Sequence, residues 1–399
     1  MIKRELYLKK IRDSYDSELI KVIMGIRRCG KSVLLHQIME ELKLKGIKED
    51  HIIYINFEDY DFIDYTESKE FNKYIKERIQ DKNKYYLFFD EIQNVKDFER
   101  VINSFRATMN VSIFITGSNS KLLSGELATV LTGRFISIKM MPFTYSEFLE
   151  LKKSKNEEIK ENALEEYVEW GGMPLIYNTS SEIERKMYLR DLYNAIILKD
   201  IVERNSIKDI NLLNRIIQFM MENVGGILSS NSIAGYLKNE KINTSVDTVM
   251  NYIEYITTAS IFNKVNRYDI RGKSVMATLE KYYLTDLGLL TLKSSPIEKK
   301  IGGRLENIVY NELIARGYDV YIGKTEKGEV DFVIDKFGKR EYIQVADYLS
   351  SEEVIKREFG AFDYVKDNYP KYVITMDKID YSQNGIIHLN LEKFLLGKK

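Results

Sequence analysis

The sequence predicts an α/β chain whose first third is a mainly parallel sheet sandwiched between helices. Three observations carry this expectation. Short apolar runs alternate with helix-periodic stretches, a glycine-bracketed loop joins the first run to the first helix, and a later run ends in two adjacent carboxylates. Ligands of such sheets sit beyond the carboxyl ends of the strands, so the polar residues that close each run are the ones of interest.

The elements follow in order. KVIMG, residues 21–25, is a short strand ending in glycine. GIRRCGKS, residues 25–32, leads from it into the apolar-periodic VLLHQIMEEL. Strand, loop and helix in this order are the setting of a G-x-x-x-x-G-K-[ST] phosphate loop. The loop residues Gly25, Ile26, Arg27, Arg28, Cys29, Gly30, Lys31, Ser32 and Val33 would surround the phosphates at the positive end of the helix. Gly30 permits close backbone approach, Lys31 reaches the β- and γ-phosphates, and the Ser32 hydroxyl joins the shell of Mg²⁺. HIIYINFED, residues 51–59, is a second strand with Asn56 at its polar end. KYYLFFDEIQNV, residues 84–95, is a continuous β-rich run of the kind covered on both faces. At its end Asp90 would hold the metal and Glu91 would polarise the attacking water; the competing reading is an acidic N-cap for the next helix. VSIFITGSNS, residues 111–120, is a further strand, ending at Ser118 and Asn119, and LTGRFISIKM, residues 131–140, places Arg134 just before a fifth.

Composition bounds the rest. A chain of 399 residues accommodates two to four domains, and its 44% hydrophobic content is ample for packed cores. No apolar run of about 18 residues occurs and the N-terminus has no apolar signal segment, so neither a membrane span nor secretion is expected. The single cysteine, Cys29, excludes an internal disulfide and fits a cytoplasmic location. Sixty basic residues balance sixty acidic ones, so any nucleic-acid binding must come from a local patch.

The N-terminal third resembles the AAA+ ATPases. More particularly, the whole chain resembles a prokaryotic family in which that core precedes a winged helix and a nuclease-like domain. The resemblance implies ATP and Mg²⁺ as ligands. It implies that Ser118 or Asn119 senses the γ-phosphate, that Asn56 restrains Glu91, and that Arg134 acts as a finger, commonly in a neighbouring subunit and hence in a homo-oligomer. Helix-capping roles for Ser118 and Asn119, and a surface or salt-bridging role for Arg134, are the alternatives.

After Pro142 the pattern turns helical, and EEYVEWGGMPLIY, residues 165–177, halts one helix and sets the next. This turn looks like the G-x-P element of related signal-transducing ATPases, which would put Gly172 and Pro174 at the base pocket of a lid; a plain interhelical turn is the alternative. Residues 205–292 read as a winged helix whose recognition helix, starting at Thr244, has Val246, Val249, Met250 and Ile253 as its apolar positions and no Lys or Arg on its first turns. The hairpin that follows is more basic, so a DNA or a protein client stays open there.

From Gly303 the chain resembles the PD-(D/E)XK nuclease fold, with Glu306 on a helix, Asp331 on a strand and Gln344 on the next. The lysine that this chemistry uses is replaced by Ala346, which favours an inactive, structural or binding version; a purely fold-stabilising role for Glu306 and Asp331 is also compatible. The expected organisation is therefore a P-loop core over residues 1–145, a helical lid over 146–204, a winged helix over 205–294 and a restriction-endonuclease-like α/β domain over 295–399. The expected function is Mg²⁺-dependent ATP hydrolysis driving a conformational switch. An ATP-regulated DNA-binding protein and an active metal-dependent nuclease are the rivals.

Overall fold

The computed structural model describes residues 2–118, 131, 133–292 and 301–398. The chain divides into two compact units, Met1–Met140 and Met141–Lys399.

The first unit opens with helix α1 (Glu5–Ile11) and then alternates strand and helix: β1 (Ile20–Met24), α2 (Lys31–Leu44), β2 (Ile52–Asn56), α3 (Ser68–Arg78), β3 (Tyr85–Asp90), α4 (Phe98–Thr108), β4 (Val111–Gly117) and β5 (Phe135–Lys139). The sheet order is β2-β3-β4-β1-β5, and every pairing is parallel. Strands β1, β3 and β4 occupy the middle and are buried along their whole length, which is why they read as continuous apolar runs. Helix α4 buries Phe98, Val101, Ile102 and Phe105, a single face at helical spacing. Phe71 of α3 meets Phe89 and Phe105 edge-on at 4.9 and 5.4 Å, knitting the helices to β3. The one charged residue inside β1, Lys21, is accommodated by donating to the Ser17 carbonyl and the Ser112 hydroxyl.

The second unit begins with helices α5 (Tyr145–Ser154), α6 (Ala163–Trp170) and α7 (Glu182–Ala195). Three helices follow, α8 (Ile210–Glu222), α9 (Ser230–Asn239) and α10 (Val246–Thr258), and then the antiparallel hairpin β6 (Phe262–Asp269) and β7 (Ser274–Leu284). The remainder is α11 (Ile301–Arg316), β8 (Asp319–Lys324), β9 (Glu329–Lys336), β10 (Lys339–Val345), α12 (Glu352–Gly360), β11 (Lys371–Thr375), β12 (Ile386–Asn390) and α13 (Leu391–Leu395).

One seven-stranded sheet, β12-β11-β10-β9-β8-β6-β7, runs through this unit. Its register explains why the domain limits expected from sequence differ from those observed. β6 pairs in parallel with β8, Arg267 to Asp269 lying opposite Ile322 to Lys324. The hairpin is thus part of the sheet and not a free-standing wing. The segments expected to form separate domains over 146–204, 205–294 and 295–399 lie in one compact unit, and the first division falls at Met140 instead of residue 145. The expected break at 294/295 lies outside the described residues. Helix α10 is capped by Ser245, whose hydroxyl accepts from Thr248 N at 3.0 Å. It buries Val249, Ile253 and Ile256, whereas Met250, read from sequence as part of the apolar face, is 54% exposed.

Candidate nucleotide site

The loop between β1 and α2 is held by close packing and by one distant arginine. A β-carbon at Gly25 would collide with the Met140 carbonyl oxygen and lie 2.8 Å from Cys29 Sγ, so no larger residue fits there. Gly30 has φ +106°, a left-handed conformation that excludes a side chain on backbone grounds. Ile26 and Cys29 are buried, while Arg27 and Val33 are half-buried and Arg28 and Ser32 exposed. Buried Arg4, just before α1, donates through Nη1 to the Cys29 carbonyl at 2.8 Å and so braces the loop from outside. Lys31, only 4% exposed, donates to the Gly25 carbonyl at 3.2 Å and forms an ion pair with Glu91 Oε1 at 3.4 Å.

Asp90 and Glu91 sit at the carboxyl end of β3, beside the loop, as their position on a central parallel strand requires. Asp90 is 1% exposed; Tyr54 donates to its Oδ2 at 3.1 Å and the Thr116 hydroxyl donates to its Oδ1. The same Thr116 oxygen accepts from Glu91 N at 3.0 Å, so one hydroxyl orients both acidic residues. Glu91 adopts a left-handed backbone, φ 51°, a conformation that costs a non-glycine residue about 1 kcal/mol or more. Its carboxylate pairs with Lys31 and accepts from Gln93 Nε2. Burial opposes ionisation of Glu91, but Lys31, the Gln93 amide and Arg27 outweigh it and hold the carboxyl below its ordinary value. Glu91 therefore does more than cap the following turn: its carboxylate is paired with the loop lysine.

Other residues singled out in the sequence fall at different places. Ser118 is buried directly after β4, at the same edge. Asn119 lies outside the described residues. Asn56 stands opposite Asp90 in register, but its Oδ1 accepts from Glu58 N at 3.0 Å; the side-chain amide on Glu91 is that of Gln93. Arg134 lies at the opposite edge of the sheet, since its carbonyl accepts from Ile20 N where β1 begins. A five-residue strand spans about 16 Å, so Arg134 is far from its own loop. Its Nη1 donates to Asn103 at 3.1 Å.

Gly172 and Pro174 belong to the second unit. There the Gly-Gly-Met-Pro turn is built around the buried Asp286 carboxylate, which accepts from Gly172 N at 2.7 Å and Gly288 N at 2.9 Å. β-Carbons at Gly171 and Gly172 would collide with Asp286 and the Phe143 carbonyl, which accounts for both glycines. Pro174 starts the short 3₁₀ turn Pro174–Asn178.

Glu306, Asp331 and Gln344 are also neighbours in the second unit, around a residue the sequence reading passed over. Lys281 of β7 approaches Glu306 Oε1 at 3.0 Å, Glu329 Oε1 at 2.6 Å and Asp331 Oδ1 at 3.9 Å. Gln344 turns away from this point: its Oε1 accepts from Asp331 N at 3.2 Å and its Nε2 donates to Glu358 at 3.0 Å. Arg4, Tyr54, Gln93 and Thr116 were likewise missed in the first unit.

The first unit has the all-parallel sheet and the glycine-bracketed strand-to-helix loop of a P-loop domain. Residues 17–149 match an AAA domain family, and residues 161–296 match a domain of unknown function, DUF8612. An uncharacterized protein of Haemophilus influenzae is 36% identical over 377 residues, covering 94% of this chain and 93% of its own length. The uncharacterized protein MJ1544 of Methanocaldococcus jannaschii is 32% identical over 405 residues, covering 98% of this chain and 88% of its own. The chain belongs to the family of these proteins. The solved structure of the Walker-type ATPase PABY2304 of Pyrococcus abyssi shares the fold, with a TM-score of 0.53 at 17% identity over 73% of this chain and 95% of that one. Among the described residues, no helix is long and apolar enough to cross a membrane.

Proposed function

We propose that the chain is a Mg²⁺-dependent ATPase that uses hydrolysis to switch the arrangement of its C-terminal modules. The observation that carries this reading is the ion pair between Lys31 and Glu91 across the glycine-bracketed loop, with Asp90 fixed beside it. The loop N–H groups from Gly25 to Val33 bind the phosphates, and Lys31 neutralises the transferring group. Glu91, ionised and restrained by Gln93, orients the water. The exposed Ser32 hydroxyl and the Asp90 carboxylate are hard oxygen donors, which fits Mg²⁺; bound there, the metal supplies charge neutralisation on the phosphate oxygens. Ser118 or Asn119 senses the γ-phosphate. Arg134, remote from its own loop, acts on the loop of a neighbouring copy and so makes the active form a homo-oligomer.

The part that responds is the second unit, in which the helices and hairpin of residues 205–292 share one sheet with a nuclease-like segment that does not cleave. A protein client is favoured over DNA by two features. The hairpin is tied into the sheet through β8, and its Lys264 is engaged with Glu280 at 2.6 Å. The test is a pair of substitutions. Lys31→Ala is expected to abolish ATP binding, whereas Glu91→Gln is expected to bind ATP and release no phosphate. Phosphate release by Glu91→Gln at the wild-type rate would overturn the mechanism.

A further inference from the structure

The second unit holds a buried group of charges that the ATPase reading does not use. Lys281 has a side chain 6% exposed, and three carboxylates converge on it from two elements: Glu306 from α11, and Glu329 and Asp331 from one face of β9. Two of them are independently anchored. Glu306 accepts from the Tyr283 hydroxyl, and Asp331 Oδ2 accepts from Val345 N at 2.9 Å. A β-carbon on Gly225, whose φ of +76° already favours glycine, would stand 3.2 Å from Glu306 Oε2.

Convergent carboxylates held by a helix and a strand are the donor chemistry of a hard divalent cation. An ammonium satisfies the same oxygens in another way, as a compact cation with three N–H donors. Glu329 and Glu306, at 2.6 and 3.0 Å, lie within hydrogen-bond distance of the ammonium, and Asp331, at 3.9 Å, faces it as a charge. Among the described residues no group of three or more His, Cys, Asp or Glu side chains is set to hold a metal. The remaining candidate ligand, Gln344, is committed to Asp331 N and Glu358, and Ala346 offers no donor. The residues therefore do not fit the metal that a nuclease-like sheet implies.

We propose that Lys281 is the resident cation of this carboxylate site: the chain fills with its own ammonium the place a divalent metal would take, and so ties the hairpin to α11 and β9 in a metal-free module. The electrostatics agree. One ammonium cannot offset three converging carboxylates; burial first, and then repulsion from Glu306, push the Asp331 carboxyl well above its ordinary value. Burial opposes the charge on Lys281 as well, yet Glu306, Asp331 and Glu329 hold its ammonium above its ordinary value. Removing Lys281 leaves the carboxylates without a cation, a loss that a divalent ion of higher charge can make good.

The experiment measures Mn²⁺ binding to the full-length chain without nucleotide, by the paramagnetic signal of the free ion, alongside thermal unfolding with and without Mn²⁺. Wild type and Asp331→Asn are expected to behave alike, with no Mn²⁺-dependent stabilisation. Lys281→Ala is expected to gain a site at least tenfold tighter than any in wild type, to melt higher with Mn²⁺, and to lose both effects when Asp331→Asn is added. If Lys281→Ala folds poorly, recovery by Mn²⁺ supports the proposal. Lys281→Met, which keeps the aliphatic stem, is the second variant, and absence of Mn²⁺ rescue in both overturns it. Asp331-dependent Mn²⁺ binding by wild type also overturns it. All residues involved lie in the second unit, so failure here leaves the nucleotide-site reading standing, and phosphate release assays test that reading separately.

Discussion

Replacing Thr116 by valine removes one oxygen and keeps the shape of a fully buried side chain. That oxygen holds two acidic residues at once, donating to Asp90 and accepting from Glu91 N at 3.0 Å. Without it the Glu91 N–H is left unpaired in the interior, a cost of about 1–3 kcal/mol, and Asp90 loses a charge-assisted bond worth about 1.5–3 kcal/mol. Partial relaxation makes a net destabilisation of about 3 kcal/mol the expectation, read as a fall in the urea midpoint at unchanged m. The effect on chemistry is larger than the effect on binding, because the phosphate loop makes no contact with this hydroxyl among the interactions described above. A misplacement of about 1 Å at a water-orienting carboxylate costs about 100-fold in rate. Phosphate release assayed well below the melting temperature should therefore show kcat down about 100-fold, with affinity for a fluorescent ATP analogue within about threefold of wild type. Stability within about 0.5 kcal/mol of wild type together with unchanged kcat would refute the argument that Thr116 positions the pair.

Three further outcomes are expected. Arg4→Met removes the 2.8 Å bond to the Cys29 carbonyl and should weaken ATP binding about tenfold, the equivalent of ~1.4 kcal/mol, when titrated calorimetrically; an unchanged Kd would show that the loop holds its shape unaided. Arg134→Ala should bind ATP normally and fail to hydrolyse it. Mixing it with Glu91→Gln should restore part of the phosphate release, and no restoration at any concentration would remove the trans role. Glu91 fixes a pH dependence: because its folded pKa is below the ordinary 4.5, the stability from its pairing with Lys31 is present above that value and is lost only as pH falls through the lower one. The acid limb of kcat/KM due to Glu91, which reports the enzyme without nucleotide, should accordingly lie below pH 4.5, and a limb centred near 6 would contradict the ion pair.

Much of the first unit was legible in the sequence because its signals are local. The run from Tyr85 to Asp90 is buried along its whole length and reads as such, and Gly25 through Ser32 form a motif at fixed spacing. The parallel sheet and the acidic pair followed from these. Arg4 and Thr116 were not legible, because each works across 25 residues of chain and neither spacing nor residue type announces the partner. Arg134 was found by place, but only the register of β5 on β1 shows it at the far edge from the loop. In the second unit the order of helices and hairpin was readable, whereas the pairing of β6 with β8 depends on backbone register across more than 50 residues. That crossover is what carries Lys281 to three carboxylates, so a lysine in a basic hairpin gave no hint of its burial. Met250 shows the opposite error, since an apolar residue at helical spacing remains exposed where no neighbour covers that face.

The most direct test of the central claim is a crystal structure of the Glu91→Gln variant with Mg²⁺ and ATP. The expected result has the triphosphate in the loop from Gly25 to Ser32, Lys31 Nζ moved from the Gly25 carbonyl onto phosphate oxygens, and the metal between the Ser32 hydroxyl and Asp90. ATP bound elsewhere, or Lys31 still lying on the loop carbonyls with the triphosphate present, would contradict it.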